Sequence, residues 1–185
     1  MKRLIVAVIL FGLGACSLIL PRYIPQNYQV TPDNLAALRK VGPRNINVGT
    51  FTMSADFDNS CRVVAGEIGK PDSSGFEGYM QKALVAELRQ AGIFDDQSPT
   101  ITLTGDIEKL QMSTWRSVYI SNWDLGVRLD SSNGKSVYIT LHYEFNAGEK
   151  FLPDCQTIAN HYMYAVQQTL NKLISAPEFE SLVTP

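Results

Sequence analysis

The chain predicts an α+β fold: a mainly antiparallel sheet with two long helices packed on one face, in a single domain. Two stretches repeat apolar residues every three or four positions, three stretches alternate apolar and polar residues, and no internal repeat or low-complexity segment interrupts them. Of its 185 residues 45% are hydrophobic and 18% charged, enough apolar side chains for one core and too many for a disordered chain. Sixteen basic against 18 acidic residues leave no positive excess to neutralise phosphates, which excludes a nucleic-acid partner.

The first element of the domain opens at Thr31-Pro32-Asp33. Thr31 suits an N-cap, and Pro32 suits the first helical position, where its missing N–H would be unpaired in any case; Gly42-Pro43 ends this helix. Asn45 to Met53, carrying Ile46, Val48 and Phe51, reads as the first strand. Residues 54–74 hold Asp56, Asp58, Asn59, Pro71, Asp72, Ser73 and Ser74, a long loop with at most a short strand at Arg62-Val63-Val64. So long a loop is either functional or needs a staple.

Phe76, Met80, Ala83, Leu84, Leu88 and Ala91 predict an amphipathic helix from Gly75 to Ala91, with Ser73 or Ser74 as cap and Gly92 as left-handed stop. From Thr100 the period becomes two: Ile101, Leu103, Gly105 and Ile107 point inward, and Thr102, Thr104, Asp106 and Glu108 outward. Trp123, Leu125, Val127 and Leu129 continue that buried face, as do Val137, Ile139, Leu141, Tyr143 and Phe145. Facing core residues on both arms of this hairpin have odd numbers, so paired positions must sum to an even number such as 266. That parity excludes a two-residue Asn133-Gly134 loop and predicts a three-residue loop, Ser132 to Gly134, with Gly134 left-handed. Ile158, Tyr162, Ala165, Val166, Thr169, Leu170 and Leu173 then predict the longest helix, Asp154 to Ser175, before Pro177 and a short turn around Phe179 and Leu182.

At the amino terminus Lys2 and Arg3 precede an apolar run from Leu4 to Leu13, the layout of a secretory signal peptide and too short to span a bilayer. The next residues, Leu13-Gly14-Ala15-Cys16, resemble a bacterial lipobox. The resemblance implies cleavage after residue 15, a diacylglyceryl thioether on Cys16 and an acylated amino terminus, an anchor of several chains that stays in the membrane. Ser17 in the next position implies sorting to the outer membrane of a Gram-negative cell, with the protein facing the periplasm. The expected organisation is thus a signal peptide at 1–15, a lipidated tether at 16–30 and a periplasmic domain at 31–185. Losing Lys2 and Arg3 moves the formal charge from −2 to −4, so the body offers no general attraction to anionic lipid. The tether is itself apolar, with Leu18, Ile19, Leu20, Tyr23 and Ile24 between Pro21 and Pro25, and is expected to dip into the membrane interface beside the acyl chains.

Once Cys16 carries lipid, Cys61 and Cys155 form an even pair in an oxidising compartment and are expected to be disulfide-bonded across 94 positions, stapling the long loop.

A search for chemistry returns little. His142 falls on the outward face of its strand and His161 at the border of the last helix, two surface histidines without a nucleophile beside them. Asp106, Glu108, Asp124, Asp130 and Glu144 share the wet sheet face with Lys109 and Arg128, as solvated charges commonly do. The segments Asp56-Phe57-Asp58-Asn59 and Asp95-Asp96 lack the spacing of a calcium loop and read as turns. No catalytic residue, metal ligand or cofactor is expected. The residues that interrupt the alternation between Met112 and Trp123 are different: Trp115, Arg116 and Tyr119 lie where two strands connect, and they are the candidate partner contact.

Tyr79-Met80-x-x-Ala83-Leu84-x-x-Glu87-Leu88 in a Gly75-flanked helix, the Ser-Ser-Asn-Gly-Lys turn and the paired cysteines together resemble small uncharacterised proteobacterial lipoproteins. The arrangement also resembles the α/β domains of envelope accessory lipoproteins attached to transport and assembly machines. These resemblances imply a non-enzymatic accessory or scaffold protein, held in the membrane through Cys16 and acting on an envelope protein. The alternative is a periplasmic binder of a small amphiphile, lipid or glycan.

Overall fold

The computed structural model describes residues 20–61, 66–114, 120–146 and 154–185. Its elements run β1 (Arg22–Tyr23), α1 (Pro32–Val41), β2 (Ile46–Met53), β3 (Glu67–Ile68), α2 (Gly75–Ala91), β4 (Ile101–Thr114), β5 (Ile120–Ser131), β6 (Ser136–Asn146), α3 (Cys155–Ile174) and α4 (Phe179–Leu182). Four strands form a mixed sheet in the order β2-β4-β5-β6, with β2 parallel to β4 and the later pairs antiparallel. The antiparallel pairs follow from short connections. The parallel pair requires the crossover that the long loop and α2 supply.

The helices α2 and α3 cover one face of the sheet, α2 over β2 and α3 over β5 and β6, and α1 lies across both helices. Between them Trp123, Phe76, Tyr79, Tyr162 and Phe57 make mostly edge-on ring contacts, with Phe76 5.1 Å from Tyr162 and Trp123 5.2 Å from Tyr162. Trp123 is wholly buried, and its Nε1 donates to the Ile158 carbonyl at 3.0 Å, so the polar end of the indole is satisfied inside the core.

The hairpin follows the parity argument. Leu129 pairs with Val137, the Ser131 amide donates to the Lys135 carbonyl at 2.9 Å, and Gly134 has φ 84°, which closes a loop of Ser132 to Gly134. In β4 a bulge between Ile107 and Lys109 sets Glu108 and Lys109 on the wet face together and returns Leu110 to the core.

Cys61 and Cys155 form the disulfide, both buried, with Cα atoms 6.1 Å apart. It joins the long loop to the first turn of α3, where Asp154 caps the helix by accepting from the Gln156 and Thr157 amides.

Three expectations are corrected. Ser74 stands at the start of α2 but makes no side-chain cap. With helical φ and ψ its hydroxyl lies against Gly78 and is spent on the Asp72 carboxylate, which accepts from both its amide and its hydroxyl. Lys82 at 2.6 Å, with Ser74, holds the Asp72 carboxyl down at about 2. The short strand after Cys61 is Glu67–Ile68, while Arg62-Val63-Val64 lie outside the described residues. From residue 20 onward the expected tether lies against this domain. β1 pairs parallel with β3, Pro25 is buried, and the Tyr79 hydroxyl, the Gln156 amide and the Gln167 amide donate to the carbonyls of Gln26, Ile24 and Gln29. The segment is held by its backbone, because an extended stretch leaves its carbonyls free to accept from helix side chains, while Leu20 and Ile24 themselves stay exposed.

Candidate functional site

Strapping the N-terminal segment to the helices brings α1 against α3 and creates two features that none of these stretches shows alone. Inside, Glu87 of α2 is wholly buried. Its Oε1 accepts from the Tyr28 hydroxyl at 2.5 Å, the Asn34 amide nitrogen at 2.9 Å and the Thr31 backbone at 3.2 Å. Burial first, and the neighbouring Glu87 second, raise the Tyr28 hydroxyl well above its ordinary value, so it stays a donor. Glu87 Oε2 and Asn34 Oδ1 have no partner among the described residues.

Outside, α1, α3 and β6 enclose an open groove of about 460 Å³, lined by Thr31, Asp33, Asn34, Leu141, Gln167, Gln168, Asn171 and Lys172. Lys172 reaches over its rim to donate to the Thr140 carbonyl at 2.8 Å. Along α3 the exposed Gln168 follows the exposed Tyr164 by one turn. Behind Tyr164 lies an aromatic stack, with His161 5.3 Å away and the Phe145 ring nearly parallel to His161 at 4.0 Å. His161 is thus half-buried, not a plain surface histidine. Its Nδ1 hydrogen-bonds the Tyr143 hydroxyl at 2.9 Å, and burial lowers its pKa.

The sheet face away from the helices carries the expected charges, and they pair. Arg128 reaches Glu108 at 2.6 Å and Asp130 at 3.6 Å, and His142 contacts Asp124 at 2.6 Å and Glu144 at 3.1 Å. Burial pushes the Asp106 carboxyl up, but hydrogen bonds from Ser54 and Thr52 outweigh it and hold it below the ordinary carboxylate range. Asp58 and Asp95 accept from backbone amides two residues on, the turn role expected of them.

The two sheet edges differ. At β2 the Ile46 amide donates to Ile93, its carbonyl accepts from Asp95, and the Gln81 amide donates to Gly49 at 2.8 Å, so that edge is occupied. At β6 the Ser131-to-Lys135 bond fixes odd-numbered residues as those facing β5, which turns the backbone groups of Tyr138, Thr140, His142 and Glu144 outward. Among the described residues Lys172 on Thr140 is the one bond made to that outward row.

No protein-family model and no curated protein matches the chain. Among solved structures, PelC L103M from Paraburkholderia phytofirmans, a dodecamer, is 15% identical and covers 82% of this chain and 95% of its own, with a TM-score of 0.36. A neuraminyllactose-binding hemagglutinin homolog from Helicobacter pylori is 10% identical and covers 75% and 88%, with a TM-score of 0.33. Both likenesses are distant.

Of the residues singled out from sequence, Cys61 and Cys155 are joined. Cys16, Trp115, Arg116 and Tyr119 lie outside the described residues. The strands that flank the latter three end in Thr114 and the exposed Ile120, beside a cleft of about 500 Å³ lined by residues including Asp56, Phe57, Met112 and Thr114. Sequence reading passed over Asn34, Tyr164, Gln168 and Asn171. The last three share one outward stripe of α3, a signal present in the sequence but masked by the stronger apolar stripe opposite. Among the described residues no helix is long and apolar enough to cross a membrane, and no cluster of His, Cys, Asp or Glu is arranged to hold a metal.

Proposed function

We propose that this chain is a lipid-anchored accessory protein of the Gram-negative outer membrane, facing the periplasm and working by binding an envelope protein. The lipobox-like Leu13-Gly14-Ala15-Cys16 supports the anchor, and the disulfide agrees with an oxidising compartment. Only four residues lie from Ser17 to Leu20, where the packed segment begins, a reach of at most about 14 Å. On this reading the domain sits close to the bilayer, and its partner is a membrane-proximal protein.

The observation that carries the binding role is the contrast between the sheet edges: β2 is bonded on its outer side at Ile46 and Gly49, whereas β6 turns the backbone of four residues outward with Lys172 on Thr140 alone. An extended segment of the partner adds to that row by main-chain hydrogen bonds.

Photo-crosslinking residues placed at Thr140 and Glu144, with Thr50 of β2 as control, test it in native envelopes. Defined protein adducts from the β6 positions and none from Thr50 are expected. His142→Pro removes an outward N–H without breaking the ladder and should abolish those adducts while the domain stays folded. Adducts that survive this substitution, or that contain only lipid or glycan, would overturn the edge reading. Palmitate labelling that persists in Cys16→Ala would overturn the anchor.

A further inference from the structure

We propose that the groove between α1, α3 and β6 is a binding site for a neutral, hydroxyl-rich chain, an oligosaccharide. This goes beyond the edge pairing above and uses different side chains, so either can fail without the other.

Charge is the first argument. Asp33 and Lys172 are the charged residues lining the groove, one of each sign, so it selects neither an anion nor a cation. The second is unspent hydrogen-bonding capacity. Gln168, Asn171 and Asp33 make no side-chain bond among the described residues, and Gln167 spends its amide nitrogen on the Gln29 carbonyl, leaving its oxygen free. An amide side chain offers two donors and one acceptor, and a sugar hydroxyl is itself donor and acceptor, so a row of amides suits a row of hydroxyls.

A third argument comes from the buried wall. Asn34 is wholly buried and lines the groove. Its amide nitrogen is held by Glu87 and by the Gln167 carbonyl at 3.4 Å, which fixes the orientation of the amide and leaves Oδ1 without a partner. A buried acceptor left unpaired is costly, so the wall gains when a ligand hydroxyl, or the water it brings, opens it far enough to reach Oδ1.

The fourth is the aromatic neighbour. Tyr164 is 42% exposed, one helical turn before Gln168, and the His161–Phe145 stack supports it from behind. A pyranose has an apolar C–H face and a rim of hydroxyls. A supported, exposed ring beside uncommitted amides matches both parts, whereas a purely apolar ligand would strand the amides.

The test is titration of the full mature chain in detergent micelles, followed by the side-chain amide signals of Asn34, Gln168 and Asn171 in NMR spectra. The probes are chitotetraose, cellotetraose and maltotetraose, with inorganic phosphate and spermine as charged controls. At least one tetraose is expected to shift these three amides saturably, and phosphate and spermine are not. Gln168→Ala with Asn171→Ala should weaken that binding about tenfold or more, and Tyr164→Ala should do likewise, with melting temperature unchanged because these side chains hold no other element in place. No saturable shift from any tetraose up to about 10 mM would overturn the proposal. So would equal binding by the double variant, or a preference for either charged probe.

Discussion

The Tyr28 hydroxyl donates at 2.5 Å to Oε1 of Glu87, tying the N-terminal segment to a carboxylate sealed inside the helical layer. Tyr28→Phe should cost about 1.5–3 kcal/mol, the range for a hydrogen bond to a charged group. Glu87→Ala strands the Asn34 amide and the Thr31 N–H as well and should cost about 3 kcal/mol or more. Glu87→Gln keeps the accepting oxygen and places its nitrogen where Oε2 now has no partner, so its loss is smaller. Urea unfolding measures all three, and trypsin cleavage after Arg22 should quicken in the order Gln, Phe, Ala.

Breaking the disulfide with Cys61→Ser and Cys155→Ser together releases a 94-residue loop in the unfolded chain. The chain-entropy account gives a loss of about 4 to 5 kcal/mol as an upper figure. Denaturation of the double variant, compared with wild type under oxidising conditions, reads it directly.

The two histidines should titrate on opposite sides of the ordinary value near 6.5. Hydrogen bonding to Asp124 first, and to Glu144 second, raises the His142 pKa, whereas burial lowers that of His161. A raised folded pKa gives stability that is fully present below the unfolded value and is lost as pH climbs through the folded one. For His161 the folded state binds fewer protons, so stability grows as pH rises from its folded midpoint to the unfolded value. NMR titration of the ring protons checks both, and Asp124→Asn should bring down the His142 midpoint alone.

Gly105 and Gly126 are both approached closely within the sheet, yet their alanine variants should differ. A Cβ on Gly105 meets the Phe51 ring at 2.6 Å, and Phe51 is buried in the core opposite it, so Gly105→Ala should cost about 1–3 kcal/mol by overpacking. On Gly126 it meets the hydroxyl end of Tyr138, which is 49% exposed and can swing into solvent, and Lys109 Cβ at 2.9 Å. Gly126→Ala should cost less. Thermal melts of the two variants rank them.

Periodicity carried most of the architecture. The ranges of α2 and α3, the inward residues of β4, β5 and β6 and the loop at Gly134 were legible because each depends on neighbours a few positions away, whose spacing places them on one face. Pairing Cys61 with Cys155 was legible for a different reason, since the expectation of an exported chain with Cys16 lipidated left these two no other partner. The candidate sites were largely illegible. Trp115 drew attention because aromatics stand out in a turn, whereas Gln168 and Asn171 look like any solvated helix surface until Asn34 lies across from them.

The sequence by itself determined the long helices, the four strands of the main sheet, the turn register and the staple, which follow from local spacing, residue type and cysteine number, but not the short strands β1 and β3. Only the tertiary structure decided that β2 pairs parallel with β4, that one sheet edge is occupied and the other turned outward, and that the segment from Leu20 packs on α2 and α3. Those outcomes depend on residues far apart in the chain, such as Tyr28 and Glu87 or Asn34 and Gln167. Their contacts form only when independently patterned elements bury their apolar faces against one another, and no local period records which surfaces will meet.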